Sequence, residues 1–196
     1  MAAKNGPEDK KIKILEALNR CLQEKPFNQT SIKDIAREAG VNHGLLHYYF
    51  TSKEDILIHY IDYIIDYYKG LFNDWFSGKD LENIDEKGLI AEFFSFMNGR
   101  ITLNRELSKV FIEIWEIAVY HPAVKSKLQA AYREWITTLS EILQRAIGDA
   151  ATANRISTAI VAFLEGIALF SIILDPASFD FPEVLTGFQR RIIEML

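Results

Sequence analysis

The stretch SIKDIAREAGVNHGLLHYYFTSKEDIL, residues 31–57, gathers an unusual density of hydrogen-bonding side chains. Asn42, His43, His47, Tyr48 and Tyr49 fall close together with Gly44 among them, and Thr30, Ser31, Lys33 and Lys53 flank the group. His43 and His47 stand four apart, a spacing that puts two imidazoles on one helical face and could chelate a metal. No further Cys, His or paired carboxylate sits nearby to complete a shell, so no metal and no other cofactor is expected. What this set can do is present donors and acceptors of several kinds. Gly44 meanwhile lets the backbone come close to a partner. That is the chemistry of recognising a polar groove.

Two short helices must hold these groups out. Ser31 with Asp34 is a capping arrangement, in which the hydroxyl accepts from an orphan backbone N–H and the carboxylate reaches back toward the cap. The helix ends at Gly40, the residue that best tolerates a left-handed conformation there, and Asn42 caps the next helix, which extends to about Tyr49. Helix, tight glycine turn and helix form a helix-turn-helix. In that motif the second helix enters the major groove with its N-terminal residues toward base edges, while the first lies across the backbone. Thr30, Ser31 and Lys33 then sit where unpaired amides and the helix dipole favour a phosphate. Asn42, His43, Gly44, His47 and Tyr48 make up the start and outer face of the reading helix. Leu45 or Leu46, with Ile32, Ile35, Ala36 and Phe50, must hold the pair to its domain. The bland alternative is a capped pair of core helices with polar residues on the surface. Three capping signals, the glycine turn and a local basic bias weigh against it.

That bias is visible only by segment. The 196-residue chain carries a net charge of −5, which taken alone argues against a phosphate partner. Residues 1–53, however, hold nine basic against six acidic side chains, leaving about −8 on the remainder. Such asymmetry hints at nucleic-acid contact. With 49% apolar residues a sizeable core is available, and disorder is excluded. The single Cys21 falls on the apolar stripe Ile14, Leu15, Leu18, Cys21, Leu22 and reads as reduced and buried. The opening MAAKNGPEDKKIKI has no apolar run suited to secretion, so a cytoplasmic location is expected.

Nearly every segment has a helical period and none alternates as a strand should, so the fold class is all-α. A disordered tail is expected over 1–8, a three-helix helix-turn-helix domain over 9–52, and a helical bundle for ligand binding and dimerisation over 53–196. The first helix runs from about Asp9 to Glu24 and stops before Pro26. Ser52 with Asp55 repeats the capping pattern for a long helix, about Lys53 to Phe76. It is apolar on almost every side, as a connection between two packing units would be. A loop over Ser77–Gly88 precedes helices at roughly 89–103, 105–119, 122–147, 152–174 and 183–196, with Pro122 and Pro182 at first-turn positions.

The segment TSIKDIAREAGVNHGLLHYYFTSKEDIL resembles the DNA-binding part of the TetR family of bacterial transcriptional regulators. The recurrent pattern is a Thr/Ser-capped helix, Ala-Gly-Val, a glycine in the reading helix, an aromatic-Phe pair and Ser/Thr-Lys. The resemblance covers about residues 10–57. It implies that Lys53 contacts phosphate at the start of the long helix and that Gly44 lies close to the DNA backbone. This chain has His47 where Tyr is usual and Tyr49 where His is usual. IWEIAVYHPAVKSKLQAAYREWITTLSEIL and AIVAFLEGIALFSIIL are similar to the C-terminal domains of the choline-responsive repressor branch. Repression is what the family implies, as is a homodimer.

Residues 156–174 are long and apolar enough to raise a membrane span. Glu165 falls near the centre, where a charge costs roughly 2.5 kcal/mol or more, and basic flanks are lacking. A buried helix and no membrane partner are expected. Ala159, Ala162 and Gly166 form a small-residue stripe, and Val184, Leu185, Phe188, Ile192 and Met195 an apolar one. Two such helices from each of two chains would make a four-helix dimer interface. Two reading heads about 34 Å apart would then engage successive major grooves of a near-palindromic double-stranded operator. For a small-molecule effector the candidates are Phe72, Trp75, Phe94, Met97, Phe111, Trp115, Trp135, Phe163 and Phe170, with Glu113, Glu116 and Glu165 as polar groups. Aromatic walls with carboxylates suit a lipophilic or quaternary cationic molecule. An enzyme is not expected, because no dinucleotide loop, phosphate loop, nucleophile elbow or ligand cluster is present in the sequence. An architectural or partner-binding protein of the same fold, with no inducer, is the alternative.

Overall fold

The computed structural model describes residues 6–79, 84–175 and 177–196. Every regular element among them is helical. Helices α1 (Pro7–Glu24), α2 (Ile32–Ala39), α3 (His43–Tyr49), α4 (Lys53–Ser77) and α5 (Glu86–Met97) come first, with a 3-10 turn at Phe27–Gln29 between α1 and α2. A π-helical turn, Asn98–Thr102, follows α5. The chain continues through α6 (Arg105–Tyr120), α7 (Pro122–Ile147), α8 (Ala150–Ile173) and α9 (Phe181–Met195).

Boundaries follow local chemistry. Of the tail expected over 1–8, residues 1–5 lie outside the described residues. Pro7 already opens α1, and the Asp9 carboxylate accepts from the Gly6 N–H at 3.0 Å. The α1 C-terminus is the extended Lys25 before Pro26, as the proline requires. Within the Ser77–Gly88 loop, residues 80–83 are outside the described set, and α5 starts at Glu86 because Asp85 accepts from the Gly88 N–H at 2.8 Å. The helix expected at 89–103 is interrupted: its last turn widens to π, a distortion that periodicity does not reveal.

The described chain divides into two compact units. One holds residues up to Leu71 together with Lys109–Leu128, so α1 to α3 share their core with most of α4 and part of α6 and α7. Ile14, Leu18, Ile35, Leu46, Phe50, Ile56, Leu57, Ile61 and Ile114 are almost fully buried there. Tyr60, equally buried, donates to Asn19 Oδ1 at 2.6 Å, and burial pushes its phenol up. Lys127 pairs with Asp62, tying α7 to α4. Cys21 is buried, and its thiol is pushed up first by that burial. The other unit comprises Phe72–Ser108 and Gln129–Leu196. Ile90, Phe94, Leu139, Leu143, Ile160, Leu164 and Leu185 form its centre, and Arg105 donates to the Ser171 carbonyl, joining α6 to α8. Helices α4, α6 and α7 each run unbroken from one unit into the other.

Candidate nucleic-acid interface

The α2–α3 pair is built by its caps. Ser31 Oγ accepts from the Asp34 N–H at 3.1 Å, while the Asp34 carboxylate accepts from the Ser31 N–H at 3.0 Å and hydroxyl at 2.7 Å. The same carboxylate takes the Lys25 ammonium at 2.7 Å and Arg37 at 2.8 Å. Lys25, then the Ser31 bonds, hold the Asp34 carboxyl well below the usual range. Gly40 turns the chain at φ 64°, ψ 31°, a left-handed conformation that glycine adopts without strain. Asn42 Oδ1 then accepts from the Leu45 N–H at 2.7 Å and starts α3. Leu46, with no exposure, is the anchor of α3, whereas Leu45 is only half-buried.

With Leu46 inward, the opposite side of α3 is open. Asn42, His43, Gly44, His47 and Tyr48 are exposed, Tyr48 at 78%, and Tyr49 is half-buried against it with ring centroids 5.0 Å apart. The His43 and His47 rings meet edge to face at 4.4 Å. A Cβ added at Gly44 would meet only Asn42 Oδ1, at 3.5 Å, so the space outward of it is empty. Lys33 is exposed on α2. Ser31 is exposed too, but its hydroxyl is committed to Asp34 in both directions. Thr30 corrects the sequence reading: it is 1% exposed and its hydroxyl donates to the Pro26 carbonyl at 3.1 Å, so this side chain closes the turn before α2 and faces no phosphate.

Lys53 is half-buried at the start of α4. Its ammonium donates to the Phe27 carbonyl at 2.9 Å and lies 4.2 Å from the Phe27 ring centroid. An ammonium has three donors, so this bond leaves others to present. The Asp55 N–H donates to Ser52 Oγ at 3.0 Å, but the Asp55 carboxylate reaches past Ser52 to the Thr51 amide at 2.8 Å and hydroxyl at 3.0 Å. Those bonds, the amide first, hold Asp55 below its ordinary value. The residue that sequence reasoning missed is Phe27. Its N–H donates to Glu113 Oε2 at 2.9 Å across a separation of 86 residues, which no local pattern can signal. Glu113 is therefore engaged by the α1–α2 turn and is withdrawn from the effector group, and Glu116 is exposed.

The effector candidates fall into both units. Phe111 and Trp115 neighbour each other in the unit of α1 to α3, with centroids 6.4 Å apart. Phe72, Trp75, Phe94, Met97, Trp135, Phe163 and Glu165 belong to the other. There Phe72 and Trp75 meet Phe96 at 5.8 and 5.1 Å, while Phe163 stacks on Phe188 at 3.8 Å and Phe188 meets the fully buried Phe94 at 6.0 Å. Burial pushes the Glu165 carboxyl up to about 7, opposed by a hydrogen bond from Tyr132. Among the described residues, Asn98 Oδ1, Thr102 Oγ1 and Ser157 Oγ are buried in this unit with no hydrogen-bond partner.

Phe170 is 49% exposed and does not line an interior. It continues the α8 stripe instead: Ala159 and Ala162 are exposed, Gly166 half-buried, and Ile173 is 66% exposed. On α9, Val184 and Met195 are exposed at 46% and 70%. Leu185 and Ile192, expected in the same interface, are buried in their own chain, and Phe188 is half-buried against Phe163. The seven-residue step from 185 to 192 is the inward face of α9, and 184 and 195 lie on the outward one. Helix α8 is long and apolar enough to cross a membrane by length and composition, with 33% of its apolar window buried in the chain itself.

A helix-turn-helix with these caps on an all-helical chain defines a class, and comparison with known proteins agrees. Residues 14–60 match the family described as bacterial regulatory proteins, tetR family, and residues 99–194 match BetI-type transcriptional repressor, C-terminal. EthR, a helix-turn-helix transcriptional regulator of Mycolicibacterium smegmatis, is 34% identical over 64 residues, which is 33% of this chain and 30% of EthR. The chain spans 30% and 50% of the length of EthR and of Bacillus subtilis YerO, respectively. A TetR transcription regulator from Haloarcula marismortui superposes with a TM-score of 0.82 at 19% identity, covering 96% of this chain and 98% of that one. A regulator from Saccharomonospora viridis, solved in complex with choline, superposes with a TM-score of 0.76 at 21% identity, covering 92% and 95%. The chain belongs to the TetR family of bacterial transcriptional regulators.

Proposed function

We propose that this chain is a homodimeric, ligand-responsive repressor that holds a near-palindromic operator and releases it on binding a small lipophilic or cationic molecule. The observation that carries the DNA half is the outward face of α3, where Asn42, His43, His47 and Tyr48 stand exposed around a Gly44 with nothing beyond it. Base edges in a major groove present donors and acceptors at that scale. Lys33 and Lys53 supply phosphate contacts on either side, which fix register without reading sequence.

The dimer reading rests on the exposed stripe of α8 and α9, namely Ala159, Ala162, Phe170, Ile173, Val184 and Met195. Small residues on α8 permit close helix approach, and a second copy would cover what a lone chain leaves wet. A soluble, cytoplasmic dimer accounts for α8 without a membrane.

The effector reading rests on the aromatic clusters around Phe72, Trp75, Phe163 and Phe188 and on the half-buried Glu165, which accepts a hydrogen bond from Tyr132. The choline-bound relative of the same fold favours the cationic arm. Because α4 and α6 run through both units, an effector that favours one arrangement can shift the spacing of the heads, with coupling of typically ~1 to 3 kcal/mol. Selecting duplexes from a random pool and titrating the winner in a band shift tests the core of this. A palindrome bound by two chains is expected; a chain that stays monomeric at micromolar concentration contradicts it.

A further inference from the structure

The α1–α2 turn is held from two sides by residues that are remote in sequence. Phe27 opens the 3-10 turn after Pro26, so its N–H has no partner within the turn. Glu113, on α6, fills that position at 2.9 Å. The carbonyl of Phe27 accepts from the Thr30 N–H at 3.0 Å and from the Lys53 ammonium at 2.9 Å. Thr30 in turn bonds to Pro26 and immediately precedes Ser31, the cap of α2. One residue therefore sets both where α2 begins and where Lys53 rests, and a carboxylate on α6 pins that residue.

We propose that Glu113 is a positioning residue for DNA binding, acting through Phe27 to hold Lys53 and the α2 N-terminus in register for phosphate. The inference rests on the DNA-binding reading above. It identifies a concrete point at which α6, which continues into the other compact unit, governs the reading head. Without the Glu113 carboxylate, the Phe27 amide has no acceptor and the carbonyl that orients Lys53 is less firmly held.

The sign of the effect separates positioning from simple charge. Removing a carboxylate near DNA strengthens phosphate binding on electrostatic grounds alone. Removing a positioning carboxylate weakens it. The test measures duplex affinity and its salt dependence for the full chain, using the pool-selected palindrome, for wild type, Glu113→Ala, Glu113→Gln, Lys53→Ala and the double variant Glu113→Ala/Lys53→Ala. Glu113→Ala is expected to bind about 5- to 10-fold more weakly, the size of one ordinary net hydrogen bond. Its salt slope should fall by about one phosphate, as that of Lys53→Ala does. Glu113→Gln keeps an acceptor oxygen and should bind as wild type or more tightly. The double variant should bind little worse than Lys53→Ala, because both substitutions remove one contact. Unchanged or tighter binding by Glu113→Ala, or strictly additive losses in the double variant, overturns the positioning role while leaving DNA binding intact. Wild type that binds no duplex at low salt overturns both readings. Amide exchange of the Phe27 N–H, faster in Glu113→Ala with the helical content of wild type in circular dichroism, shows that the variant is folded and altered where intended.

Discussion

Glu165→Gln tests the interior of the unit formed by Phe72–Ser108 and Gln129–Leu196 through pH. The carboxyl of Glu165 sits in the middle of an apolar helix, and burial raises it from 4.5 to about 7 although Tyr132 donates to it. A carboxyl raised on folding binds its proton more tightly in the folded state than in the unfolded one. Its contribution is therefore most favourable below about 4.5 and is lost as pH rises through about 7. The interval between those two values corresponds to about 3 kcal/mol of stability, by the linkage of 1.36 kcal/mol for each pH unit. Glutamine has the same shape and no proton to lose. Urea denaturation of both proteins at pH 5, 6, 7 and 8 should give wild type a stability that falls across the series relative to the variant. The variant should be the more stable protein at pH 8. Parallel curves for the two would refute the claim that this carboxyl is desolvated. On the effector reading proposed above, the same variant should bind a cationic effector more weakly than wild type above pH 7, where the wild-type carboxylate is charged, as followed by calorimetry.

Other substitutions address separate steps. Ser31→Ala removes the acceptor of the Asp34 N–H and should cost about 1 kcal/mol in urea denaturation, whereas a change within the fitting error would mean the cap is not needed. Gly44→Leu should move two observables in opposite directions. An exposed helical glycine replaced by leucine gains up to about 1 kcal/mol in stability, while the added side chain fills the space a groove would occupy and duplex affinity collapses. Phe170→Asp places a charge on the exposed α8 stripe and should convert the proposed dimer to monomer in light scattering while the helical content in circular dichroism stays that of wild type.

The caps were readable because they are local: Ser31 with Asp34, Gly40 and Asn42 each act within four residues, and each makes the bond its type requires. The outward set on α3 followed from Leu46 being the one residue of that helix that is buried. Thr30 was misread because the phosphate-facing end of a helix and the residue that closes the preceding turn have the same composition; burial alone distinguishes them. On α9 the stripe was legible but its phase was not, since Val184 and Leu185 are both apolar and only packing decides which faces inward. Phe170 posed the same problem on α8, where both faces are apolar. The Phe27–Glu113 bond and the π turn at Asn98–Thr102 depend on tertiary structure and leave no periodic trace.

Hydroxyl-radical footprinting of the full chain on its pool-selected duplex at low salt addresses the central claim, that the open face of α3 enters a groove and that two copies do so together. The expected pattern is two protected windows on one face of the duplex, centred about 34 Å apart, that disappear with Gly44→Leu. An unprotected duplex, a single window, or two windows that persist in Gly44→Leu would contradict it.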